Sequence, residues 1–328
     1  MSSSPSTETS LSQLAADAEP GPNWTEATLV WGLAWELHWA GFASLFSILT
    51  VRSFLALIQV KKKKGFGPTP LFIAINSLLV TLGATRALYL FLDPYESGDN
   101  GVKIPHWLAK LIYAIAFPCL TSSFCLIHLA FLEVAKIRIG LRKLQSVRLL
   151  TGVITTHFVI VAIAEVVTAV KSNFTPFLIV CQSFIIFWGF LLSVSFIYSG
   201  LKVILRAGRV QQQLQNNEIG KARRATGRQR KSKTVKVAKV TFATSILGLV
   251  CCGLQLYSLF GVYSLYSKAV HPPPWPWWAF QTCYRLVEFC MACTIAYTVV
   301  QRSEPANSTD SSSDTVCAKR EEKSTSYK

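Results

Sequence analysis

The feature that most constrains this chain is a series of seven apolar stretches, with the basic residues between them confined almost entirely to every second gap. Apolar runs of roughly 20 residues cross a bilayer as helices, because lipid offers no partner for an unpaired backbone N–H or C=O. Residues 176–200 and 242–267 contain no Asp, Glu, Lys or Arg. Charged residues make up 15% of the chain, against about 25% in ordinary soluble domains. The short alternating segments of a membrane barrel do not occur. The sequence therefore predicts an all-α integral membrane protein, a seven-transmembrane helix bundle. The expected spans are Val30–Val60, Pro70–Leu92, Ile104–Leu132, Leu149–Val170, Pro176–Val203, Val240–Tyr266 and Trp277–Val300. Pro118, inside the third, is expected to kink it.

A net charge of +16 would suggest nucleic acid in a soluble chain. Its placement points to topology instead. The gaps after the first, third and fifth spans hold twenty Lys and Arg residues, and the opposite gaps hold three: Lys103, Lys171 and Lys268. By the positive-inside rule the N-terminus is outside and the C-terminus cytoplasmic. Residues 1–29 read as a short disordered extracytoplasmic tail, 30–300 as the transmembrane domain and 301–328 as a disordered cytoplasmic tail. The tail has no basic region followed by a short apolar core, so the first span is expected to act as an uncleaved anchor. The expected location is the plasma membrane or the endomembrane system.

Asn23-Trp24-Thr25 is a glycosylation sequon on the outer side. Of nine cysteines, eight lie within spans and Cys317 in the last tail, where they read as small packing residues. No cofactor and no metal site are expected. The basic cytoplasmic loop, 207–237, is the largest soluble piece, and Val210-Gln-Gln-Gln-Leu-Gln is expected to extend the fifth span as a helix. Lys221 to Lys239 carries nine basic residues and no acid. Anionic inner-leaflet lipids would attract it by about 1 kcal/mol per basic residue. A cytosolic signalling or trafficking protein is the other expected partner, with Ser232 and Thr234 as phosphorylation candidates. On the outer side, Trp275, Trp277 and Trp278 suit the headgroup region; a ligand-facing aromatic lid is the alternative.

Ionisable residues inside a bilayer cost roughly 2.5–3.5 kcal/mol each on insertion scales and usually face the bundle interior. This chain places Glu36 and His38 in its first span, Arg86 in the second, Lys110 in the third, Glu165 in the fourth, and Arg285 with Glu288 in the seventh. Counted at about 1.5 Å per residue, Arg86, Glu165 and Arg285 lie at similar depth in the outer half. Two cations and three carboxylates on four spans read as one network. It is either an ion-paired latch or a polar pocket open to the outside that takes a small ligand or ion. His128 and His157 read as isolated core histidines. No pattern for a metalloprotease, a hydrolase elbow or a phosphate loop occurs, and no Asp lies within a span. The leading expectation is a non-enzymatic membrane protein of receptor-like or regulatory type; the alternative is a transporter or channel using the charged outer half.

The rhodopsin-like receptor motifs are missing: the inner end of the third span reads Leu132-Glu133-Val134, and the seventh lacks Asn-Pro-x-x-Tyr. Three other motifs carry a resemblance. They are Trp31-Gly-Leu-Ala-Trp-Glu36-Leu-His38, Thr85-Arg86-Ala-Leu-Tyr-Leu-Phe-Leu-Asp93-Pro94-Tyr95, and Ala116-Phe-Pro-Cys-Leu-Thr-Ser122. In these the chain resembles the membrane domain of the proline-rich transmembrane protein 3 and 4 family. It is more distantly similar to seven-span proteins of the tobamovirus-multiplication type. The resemblance implies the same seven-span fold. Family members carry a long extracellular proline-rich region, whereas this chain has about 26 residues before its first span, with Pro5, Pro20 and Pro22.

Overall fold

The computed structural model describes residues 21–62, 70–98, 104–135, 147–170, 175–216, 221–258, 260 and 271–303. Within them the chain is helical, and none of these residues forms a strand. The helices are α1 (Trp24–Trp31), α2 (Leu33–Lys62), α3 (Pro70–Leu92), α4 (His106–Ala135), α5 (Val147–Val170), α6 (Thr175–Asn216), α7 (Lys221–Tyr257) and α8 (Pro274–Ser303). A single 3₁₀ turn, Pro94–Glu96, follows α3. Pro70 and Pro274 open their helices, where a missing N–H costs little.

Six of these helices are long and apolar enough to cross a membrane: the stretches Leu33–Gln59, Pro70–Leu92, Trp107–Phe131, Ser183–Lys202, Lys239–Tyr257 and Pro274–Val300. The described apolar stretch of α5, Thr151–Ala164, is shorter.

Two boundaries differ from the sequence reading for clear physical reasons. The first apolar run breaks at Gly32, whose φ of 48° and ψ of −125° suit a residue without a Cβ. Its N–H caps α1 by bonding to the Thr28 carbonyl. The loop expected at 207–237 is helix over most of its length, because α6 continues to Asn216 and α7 starts at Lys221. Pro118 sits within an α4 that continues on both sides of it.

Helices adjacent in sequence pack against each other from α2 to α8, and α8 closes the bundle by touching α2, α3, α4 and α7. Small residues set the closest approaches. A Cβ on Gly83 would collide with Thr50 Oγ1 and come within 2.9 Å of the Phe46 carbonyl, so α3 lies against the α2 backbone. Gly248 of α7 likewise admits Ser193 Oγ. Hydroxyls that find no water bond to their own helix one turn back, as Thr50 does to Phe46, Thr85 to Thr81 and Thr298 to Thr294. Leu33, Ile48, Phe54, Phe187, Phe190 and Leu205 point outward. Such an apolar exterior over a sealed interior is the surface a lipid solvent calls for.

Candidate functional site: a sealed ion cluster

Arg86 of α3 and Arg285 and Glu288 of α8 meet inside the bundle, each 0% exposed. The Arg86 Nε donates to both carboxylate oxygens of Glu288 at 2.9 and 3.0 Å, and its Nη2 lies 2.9 Å from Oε1. Arg285 Nη1 donates to the other oxygen, Oε2, at 2.8 Å. Arg285 and Glu288 are three residues apart on one helix, a spacing that puts them on one face. One carboxylate thus holds two guanidinium groups.

A third helix joins through its backbone. Arg86 Nη1 donates to the Tyr113 carbonyl of α4 at 2.9 Å. That carbonyl immediately precedes the Ala114 carbonyl, which Pro118 deprives of an N–H donor, so α4 offers polar backbone where the ring opens the turn. The guanidinium of Arg86 also stands 4.9 Å from the ring centres of Tyr113 and Phe117. Arg285 lies 5.4 to 5.6 Å from the rings of Tyr95, Tyr113 and Tyr284. Flat cations in a dry aromatic cage keep part of the stabilisation they lose with water.

The outer wall is a strained turn. Tyr95 has φ of 56° and Glu96 φ of 59°, both in the left-handed region that disfavours a side chain. Each such residue costs on the order of 1–3 kcal/mol and persists only where its surroundings hold it. Asp93 Oδ1 accepts from the Gly98 N–H at 2.9 Å and closes the turn. The turn places the Tyr95 ring in the bundle, where its oxygen accepts from Arg285 Nε at 3.1 Å and lies 3.0 Å from His38 Nε2. Arginine can only donate, so the phenol proton is available to His38. The other imidazole nitrogen, Nδ1, is 2.9 Å from Thr282 Oγ1 of α8. The chain of contacts therefore runs from α2 through the turn to α8.

Aromatic rings cover this wall. Trp35 stacks on His38 with 8° between planes, and Trp277 meets Tyr95 edge-on at 5.0 Å. Trp24 and Trp31 of α1 lie against Trp35 and Trp277 at 5.3 to 5.6 Å. Trp277 is fully buried in this cover, and not at the lipid surface as its position in an aromatic outer segment suggested. Trp275 is exposed.

The candidate residues separate into groups. Arg86, Arg285 and Glu288 converge, and His38 reaches them through Tyr95. Glu36 does not: it is exposed, because two helical positions before His38 is a rotation of about 200°. Glu165 is on α5, with its side chain outside the described residues, as are those of Ser232 and Thr234 on α7. Lys110 is buried on α4. Asn23 is exposed at the start of α1, with Thr25 Oγ1 2.8 Å from its side-chain oxygen. His128 and His157 are buried but not isolated, lying 3.3 Å from Ser195 and 3.1 Å from Thr121. Tyr95, Tyr113 and Thr282 are the participants that sequence reasoning missed. No group of three or more metal-ligating side chains occurs among the described residues.

Two cavities lie near the cluster or on the helix surface, and neither is lined by Arg86, Arg285 or Glu288, although the first touches the cage rings Phe117 and Tyr284. One, of about 40 Å³, lies between α4, α6, α7 and α8 and is bordered by Phe117, Ser193, Gly248, Gln255 and Tyr284. The other, about 350 Å³, is a groove on the outward side of α6 and α7 lined by Ile186, Phe187, Phe190, Leu256 and Phe260.

Apolar helices of membrane-crossing length, turned outward on their greasy faces and inward on an ion cluster, define a multi-pass helical membrane protein. The comparisons add the particular family. Residues 8–325 match the family model described as the proline-rich transmembrane protein 3 domain, and the chain belongs to that family. Proline-rich transmembrane protein 4 of Mus musculus is 28% identical over 284 residues, covering 84% of this chain and 30% of the relative. The Homo sapiens protein of the same name is 27% identical over 283 residues, with the same coverage. The chain thus spans about 30% of the length of the curated relatives it matches.

Proposed function

We propose that the chain is a seven-span, non-enzymatic membrane protein of receptor-like or regulatory type, N-terminus outside, whose outer-half ion cluster is a latch that sets how its helices are arranged. The observation that carries the latch is that Arg86, Arg285 and Glu288 are 0% exposed and that both arginines are paired to Glu288. A ligand pathway needs charges that face an open space; a latch needs them sealed. The charge alternation along the chain and the apolar stretch of α5 support the seventh span. The inner hairpin of α6 and α7, rich in Lys and Arg, is the surface through which a regulatory protein of this design engages lipid or a cytosolic partner.

Reconstitution into proteoliposomes tests the latch against a carrier. The latch reading expects Arg86→Gln and Glu288→Gln to lower thermal stability with no ion or solute flux in either the parent or the variants. Flux that depends on Arg86 sinks it. Protease protection of tags at the two ends tests the topology: tags on the same side contradict an odd number of spans.

A further inference from the structure

We propose that the far end of the α6–α7 hairpin is a docking surface for an acidic patch on a cytosolic protein, held clear of the bilayer. This rests on the inner-side placement given above and narrows the partner to one class.

The argument is one of height. α7 is a continuous helix from Lys221 to Tyr257, and its apolar stretch begins only at Lys239. α6 continues past the end of its apolar stretch at Lys202 to Asn216. Four residues lie between Asn216 and Lys221, and the two helices pack against each other. At about 1.5 Å per residue, Arg228 stands ~16 Å, Arg224 ~22 Å and Lys221 ~27 Å beyond Lys239 along the axis. A typical tilt of about 20° shortens these heights by only ~6%.

The headgroup layer adds about 5–7 Å to each side of the hydrocarbon, and the leaflet potential decays over about 8 Å. Lys231, Lys233, Lys236 and Lys239 fall inside that reach, and Arg230, at ~13 Å, stands at its edge. Lys221, Arg223, Arg224 and Arg228 fall outside it. Attraction to the inner leaflet, the default for a basic juxtamembrane segment, therefore accounts for the near residues and leaves the far four unexplained. Positions 221, 224 and 228 follow the i, i+3, i+7 spacing that makes one stripe on a helix. No acid lies between Lys221 and Lys239 to neutralise it. A row of cationic positions on a continuous helix, beyond the reach of lipid charge, is complementary to an acidic protein surface.

The test uses the full chain in lipid nanodiscs, with a polyglutamate peptide as probe and a fluorescent residue placed at Ala222. In discs of neutral phosphatidylcholine, changing Lys221, Arg223, Arg224 and Arg228 together to Gln is expected to weaken peptide binding by about tenfold, and changing Lys233, Lys236 and Lys239 to Gln by less than about threefold. Gln keeps helix propensity, and circular dichroism of each variant checks that the helix survives. Adding phosphatidylserine is expected to leave binding within about threefold, with the Ala222 label still more than ~15 Å from a headgroup acceptor. Equal losses in the two variants overturn the proposal. Collapse of the label onto anionic discs with loss of peptide binding also overturns it, and makes lipid the occupant. Protease cleavage of the hairpin from the side of the N-terminal tag instead overturns the topology on which both readings stand.

Discussion

The two charged regions of this molecule handle the same problem in opposite ways. Around Arg86, two guanidinium groups and one carboxylate are fully buried and ion-paired. From Lys221 to Lys239, nine basic residues occupy one 19-residue stretch with no acid among them, on a helix that leaves the apolar stretch behind. Buried charges are tolerable only when paired and hydrogen-bonded, and Glu288 pairs with both arginines. Like charges at this density are tolerable only where water and salt screen them, which suits the proposed docking to a partner of opposite sign. In the proposed reading the first region holds a shape and the second meets a partner.

Breaking the buried set should cost far more than changing residues near it. Glu288→Ala removes the one group shared by both arginines and leaves two buried cations facing each other. A loss of about 3–5 kcal/mol is expected, read as loss of folded protein in size-exclusion chromatography or a large fall in Tm. Gly83→Val tests packing and not charge, because a Cβ there meets the Phe46 carbonyl at 2.9 Å and backbone cannot step aside. Overpacking of this kind costs about 1–3 kcal/mol. Gly41→Ala, with nothing within 4 Å of the added carbon, serves as its neutral control in the same thermal assay. Tyr95→Phe keeps the ring in the strained turn but takes away the oxygen shared by Arg285 and His38. About 1–3 kcal/mol of destabilisation is expected from unsatisfied partners. Glu36→Gln, on an exposed surface of α2, should fall within about 0.5 kcal/mol. A Glu36 effect as large as that of Glu288 would erase the distinction between the two.

Cost was the signal that made most of the buried cluster legible from sequence. Arg86, Arg285 and Glu288 stand out because a charge in an apolar run needs a reason. Tyr95 carried no such signal: it is uncharged, lies outside the runs, and takes a left-handed backbone that a rule based on residue type assigns to Gly or Asn. Glu36 was grouped with the cluster on depth alone. Helical phase was available, since positions 36 and 38 cannot face the same way, and it would have separated them. The break at Gly32 was hidden because apolar residues continue on both sides, and hydropathy does not register φ. The long α6–α7 hairpin was half legible: the Gln-rich stretch after Val210 reads as helix, whereas a dense run of like charge reads as loop when its helical continuation into an apolar span is not considered.

The latch depends on the coupling of Arg86 to Glu288. A double-mutant cycle with Arg86→Gln and Glu288→Gln, measured by equilibrium unfolding in mixed micelles, reads that coupling directly. The account predicts an interaction energy of about 2 kcal/mol or more, so that the double variant is much less destabilised than the sum of the single ones. Additivity within about 0.5 kcal/mol would mean that the two side chains lie near each other without holding anything together.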